Sequence, residues 1–221
     1  MALTDEYGKM TIESVQMVTA HPTKKEVVSD FRRAGILKAA RKVFARHGYH
    51  GATMDDVAEA CSIAKGTLYL YFKSKRQIYL GVLKEDLQLL REQTRRAIES
   101  ASTAEARIRA FIVSRFDFCE GHRDFFRIYN SDISAIFISS QPMQKDLRDF
   151  YLEQAKILEG IVAEGIRRGE LREVDPQAAA FAIYDTTRAS IARRVLGLSG
   201  RTGNTDAGTI IDLIWRGIAR A

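Results

Sequence analysis

The chain of 221 residues has little of what most fold classes need. It holds only three prolines, two cysteines and one tryptophan. Few prolines and almost no alternating apolar–polar runs argue against a sandwich or barrel and for an all-α protein. Cys61 and Cys119 both sit inside helical patterns, so a disulfide framework is not expected and a reducing cytoplasm is the natural home. No apolar run approaches the ~20 residues of a membrane span. The N-terminus lacks a basic stretch followed by an apolar one, so no signal peptide is read there. Cys119-x-x-His122 is well short of a zinc set, and His47-x-x-His50 straddles a helix end. Four histidines so placed assemble no nucleophile, base and orienter. No metal, cofactor or catalytic residue is expected.

What is present is concentrated in one block. Between Phe31 and Arg76 stand ten lysines and arginines against Asp55, Asp56 and Glu59, a balance of +7, while the whole chain carries +6. The basic excess is therefore confined to this block, the footprint of a polyanion-binding unit on a near-neutral body. Charge alone is equally consistent with a solvated basic face. The local pattern decides between them. Ile36, Ala40, Val43, Phe44 and His47 follow one helical face, and Gly48 sits where a left-handed cap ends a helix. Thr53 is placed to cap a short helix with inner stripe Met54, Val57, Ala58 and Cys61. A break at Ser62-Ile63 leads to a second short helix from Lys65 to Tyr71, anchored by Ile63, Leu68 and Phe72. Two short helices joined by a tight turn are the unit that sets one helix into the major groove.

Residues 36–83 resemble the DNA-binding domain of TetR-family transcriptional regulators, in the runs ILKAARKVFARHGYHGATMDDVA and AKGTLYLYFKSKRQIYLGVL. The resemblance implies a homodimeric, sequence-specific repressor that binds an inverted-repeat operator in double-stranded DNA and is released by a small ligand. The alternative is a helix-turn-helix regulator without such an inducer. Position by position, it implies a phosphate-binding hydroxyl at Thr53 and base-reading contacts at Lys65, Gly66 and Thr67. Tyr69 and Tyr71 fall at backbone-touching positions, and Lys75 at a phosphate-pairing lysine. Ser62 stands where the family usually has Gly, and Ala64 where it has Ser or Thr. A strained turn and a helix without a side-chain cap are therefore expected.

The expected organisation is a mobile arm over 1–22, a helix-turn-helix domain over 23–76, and a helical ligand-binding and dimerisation domain over 77–221. Helices are read at about 77–101, 103–119, 123–138, 142–168, 175–198 and 205–220. The last two are apolar on more faces than one small body can cover, so a twofold mate is expected against Ile191, Val195, Ile211, Ile214, Trp215 and Ile218. Residues 111–137 hold seven Phe and Tyr. A core stripe is the plain explanation. Polar residues nevertheless interrupt these apolar faces, as a small-molecule pocket requires. Candidate pocket residues are Phe111, Arg115, Phe118, Tyr129, Gln154, Tyr184 and Arg188, for an apolar or aromatic ligand, with Arg115 and Arg188 suited to an anionic one.

Overall fold

The computed structural model describes residues 23–133 and 142–220, which form nine α-helices. The arm 1–22 and the expected continuation of a helix from 134 to 138 lie outside the described residues.

The first helix, α1 (Lys24–Gly51), is interrupted at Gly48, whose φ of 68° and ψ of 174° only glycine adopts readily. Its inner stripe of Ile36, Leu37, Ala40, Val43 and Phe44 is buried. The next helix, α2 (Met54–Ala60), starts at a full capping box. The Thr53 hydroxyl accepts from the Asp56 amide at 3.1 Å, and the Asp56 carboxylate accepts from the Thr53 amide at 2.8 Å. Ser62 makes the turn with φ at 55°, in the left-handed region. The following helix, α3 (Lys65–Tyr71), has no side-chain cap at Ala64. Leu68 and Phe72 are fully buried and fix α3 against its neighbours.

The long α4 (Lys75–Glu99) is capped by Ser74 and packs on both α1 and α5 (Ala104–Gly121). After it come α6 (Arg123–Ile133) and α7 (Pro142–Arg167). Then α8 (Pro176–Val195) begins with Asp175 as cap and proline at its first position, and α9 (Gly203–Ile218) closes the chain. Two contacts tie the head to the body. Helix α1 packs on α6 as well as on α4. Arg41 on α1 donates from Nε to Oδ2 of the fully buried Asp86 on α4, at 2.7 Å. Burial raises the Asp86 carboxyl above the usual range, against the opposing pull of Arg41. As the small number of large apolar residues on the first three helices implies, their core runs without a break into that of the body.

Candidate nucleic-acid interface and buried donor cluster

The outer face of α3 is a row of exposed residues: Lys65, Gly66, Thr67, Tyr69 and, three-quarters exposed, Leu70. A helix of seven residues that shows an apolar side chain and a glycine to water gains nothing within its own fold from either. A Cβ at Gly66 would meet no atom within 4 Å. Its lack of a side chain thus relieves no internal crowding, although glycine costs a helix about 1 kcal/mol relative to alanine. Lys65 pairs with Asp55 at 2.8 Å across the turn, and that hydrogen bond holds its ammonium above the ordinary lysine range. An exposed pair of this kind opens with little loss.

Thr53 and Lys75 are placed less simply. The Thr53 hydroxyl both accepts from the Asp56 amide and donates to the Asp56 carboxylate at 2.8 Å. Its proton must leave that carboxylate before it can reach a phosphate. Lys75 donates to the carbonyls of Ala52 at 2.7 Å and His50 at 3.4 Å and lies over the Tyr49 ring at 4.6 Å. Two of its three N–H donors hold the α1–α2 turn, which leaves one for a phosphate. Tyr71 is half-buried, and its carbonyl accepts from Arg33. Leu70 was not anticipated, because its position in the α3 repeat carries no polar signal.

The second cluster is inside the body. Arg115 on α5 is buried, at 5% exposure, and forms no ion pair among the described residues. Its guanidinium donates to Gln154 Oε1 on α7 at 3.0 Å and to the Tyr184 hydroxyl on α8 at 3.2 Å. It also lies over the rings of Phe111, Tyr184 and Phe150 at 4.7, 4.9 and 5.7 Å. The Tyr184 hydroxyl shares a 3.1 Å hydrogen bond with that of Tyr129 on α6. Gln154 is fully buried and its Nε2 has no partner. Four helices thus bring one polar side chain each to one point. Burial, and then the Tyr184 hydroxyl, push the Tyr129 phenol well above its ordinary pKa.

The other candidate pocket residues make no hydrogen bond to this cluster among the described residues. Phe118 stacks on His122 and packs edge-on against Phe125 and Phe126. Arg188 is half-buried and pairs with Asp185 at 3.3 Å. Phe150 and Tyr151, adjoining the cluster from α7, were missed as pocket residues. The i, i+4 step from Phe150 to Gln154 is the signal that marks that face.

Near the chain's end the structure places Ile191, Ile211 and Ile218 in the protomer's own core, at 1%, 6% and 9% exposure. Val195, Ile214 and Trp215 are half-buried against the same core. What these two helices turn outward is the small-residue row Ala178, Ala182, Thr186 and Ala189 on α8, and Thr209 and Leu213 on α9. Leu213 is 65% exposed and lines a groove of ≈ 520 Å³ with Thr186, Ser190, Thr209 and Leu198.

The model described as bacterial regulatory proteins, tetR family, matches residues 36–82, and that of the tetracyclin repressor-like C-terminal domain matches residues 101–191. The chain belongs to the TetR family. It is 27% identical over 162 residues to the fatty acid metabolism regulator protein of Bacillus subtilis, covering 73% of this chain and 82% of that one. Its fold superposes on the ketosteroid transcriptional regulator KstR2 of Mycobacterium tuberculosis with a TM-score of 0.72 at 26% identity, over 86% of this chain and 96% of that one. It also superposes on FadR from Bacillus subtilis in complex with stearoyl-CoA, with a TM-score of 0.70 at 24% identity, over 82% and 96%. As a TetR-family chain it is a DNA-binding transcriptional regulator. No described helix is long and apolar enough to cross a membrane, and no described group of His, Cys, Asp and Glu could hold a metal ion.

Proposed function

We propose that this regulator is a homodimeric repressor that reads an inverted-repeat operator with α3 and leaves it when a small ligand enters the body. It is not an enzyme in this reading. The observation that carries the DNA assignment is the outer face of α3, where Gly66, Thr67 and Tyr69 stand exposed and Lys65 makes only an exposed pair with Asp55. Lys65 and Thr67 have the donor and acceptor groups that distinguish base edges in the major groove. Lys75 and Thr53 serve the phosphates and set the register. The paired copy lies against the Ala178, Ala182, Thr186, Ala189 and Leu213 face, where small side chains let helices approach closely.

The ligand reading rests on the aromatic-walled cluster around Arg115, and on relatives whose names refer to fatty acid metabolism and ketosteroids. Helix α6 contributes Tyr129 to that cluster and also packs on α1, and α4 is tied to α1 through Arg41 and Asp86. A ligand that favours a shifted α6 or α4 also favours a changed spacing of the two α3 helices, and so shifts the population off DNA. The test is retention of genomic fragments on the protein followed by sequencing. The expected result is enrichment of inverted repeats with half-sites about 34–36 Å apart. Absence of any enriched sequence would end the regulator reading. Enriched fragments that no apolar compound releases would favour the inducer-free alternative.

A further inference from the structure

The four polar residues at the centre of the body have more donors than acceptors. A guanidinium has five N–H donors and an amide two. Arg115 uses one toward Gln154 and one toward Tyr184. Because Gln154 Oε1 accepts from Arg115, its amide cannot be turned round without setting donor against donor, so the unpartnered buried atom is a donor, Nε2. The Tyr129 and Tyr184 hydroxyls hold two protons and share one hydrogen bond, so one proton lacks an acceptor whichever way that bond points. The nearest carboxylate on α8, that of Asp185, is occupied by Tyr151 and Arg188. Among the described residues the cluster thus has a positive charge without an anion, and unused donors on α6 or α8 and on α7. Around it Phe111, Phe150 and Tyr184 turn ring faces toward the guanidinium.

Buried donors without acceptors are rare, and a buried charge without a counter-ion is rarer. We propose that this cluster receives the anionic oxygens of the ligand, a carboxylate attached to an apolar chain or ring, with Arg115 as counter-ion and Gln154 Nε2 and a tyrosine hydroxyl completing its shell. This rests on the reading of the body as a ligand-binding unit and specifies the ligand's class: an anion with an apolar tail rather than a neutral lipid or sterol. A phosphate on such a ligand would satisfy the same donors, so the test separates the two sources.

The full-length protein is titrated by calorimetry with decanoate, palmitate and naphthoate, each against its methyl ester. Palmitoyl-CoA serves as a ligand whose anions are phosphates. At least one acid should bind about ten-fold or more tightly than its ester, the size of one charge-assisted hydrogen bond. Arg115→Gln should remove that preference, and Arg115→Lys should keep part of it. Tyr129→Phe, which hardly changes volume, should weaken the acid several-fold and spare the ester. It guards against a folding defect in the arginine variants, as does a cooperative melt for each variant. Loss of palmitoyl-CoA affinity in Arg115→Gln, with no acid preference in the wild type, would keep the anion site and assign it to a phosphate. Equal binding of acids and esters with palmitoyl-CoA indifferent to Arg115 would overturn the proposal, as would no binding of any probe. Retention of operator fragments is measured separately on the unliganded protein. Loss of that retention would sink the regulator reading and leave the acid–ester comparison standing.

Discussion

The two ends of this molecule use the same side chains under opposite conditions. On α3 and its flanks, lysine, threonine and tyrosine stand in water and either pair loosely, as Lys65 does with Asp55, or cap a helix, as Thr53 does. In the body, arginine, glutamine and two tyrosines are taken out of water with their hydrogen bonds incomplete. The Lys65 pair adds little to folding, since exposed pairs contribute about 0–1 kcal/mol. The inner group works against folding, because desolvating a guanidinium is repaid only in part by ring faces and neutral acceptors. Donors kept where they do not stabilise the fold are donors for something outside it. In the proposed function that partner is a surface in one case and a guest in the other.

The largest expected effect tests whether the outer group can act alone. Leu213→Glu puts a charge on the exposed α9 face and should yield monomers that lose operator binding. Light scattering and anisotropy on the same sample check it, and a monomer with unchanged operator affinity would refute the twofold arrangement. The next effect has the opposite sign. Arg115→Met combined with Gln154→Leu removes the inner charge together with the amide it would strand, and should stabilise the protein by about 1–3 kcal/mol. Lys65→Met should leave stability within about 0.5 kcal/mol. A lower melting temperature for the Arg115→Met, Gln154→Leu double variant would mean that the inner cluster is structural after all.

Smaller effects sharpen the outer group. Lys65→Ala should cost about 1–3 kcal/mol of operator affinity and alter preference among operators. Lys75→Ala should weaken all DNA alike and reduce the salt slope by about one unit. It should also lose about 1 kcal/mol of stability, because Lys75 holds the Ala52 and His50 carbonyls and covers Tyr49. Identical sequence profiles for the two variants would erase the division between reading and positioning. The smallest effect belongs to the inner group at alkaline pH. Burial, and then Asp185, push the Tyr151 phenol up to about 12, and burial raises Tyr129 well above the usual phenol range. From about pH 10 upward the unfolded chain loses these protons while the folded one keeps them, so stability falls as pH rises. Tyr129→Phe and Tyr151→Phe should flatten that fall in denaturant titrations, and an unchanged slope would show that neither phenol is held protonated.

The outer group was legible in the sequence because its determinants are adjacent along the chain. A cap at Thr53, a turn at Ser62, an uncapped start at Ala64 and anchors at Leu68 and Phe72 lie within twenty residues, and each acts through local geometry. The inner group draws one residue from each of four helices. Arg115, Gln154 and Arg188 looked equivalent as interruptions of apolar faces, and only packing separates the first two from a half-buried ion pair at the third. The same limit applies to the outward face of α8 and α9. A helix apolar on two sides does not state which side its own chain covers. Here the protomer covers Ile191 and Ile211 and leaves Ala178, Ala182 and Ala189 of α8 outward.

The unbroken core that joins α1 to α4 and α6 bears on how this regulator could be re-engineered. A reading head cut after α3 would carry Ile36, Leu37 and Phe44 with part of their cover removed, and the charge of Arg41 without Asp86. Transplanting operator specificity into another sensor is therefore not a matter of swapping residues 23–76. A working chimaera must bring the facing surfaces of α4 and α6 along, or repack α1 for its new host. The seam for such grafts runs through the side chains of one interface rather than across a linker.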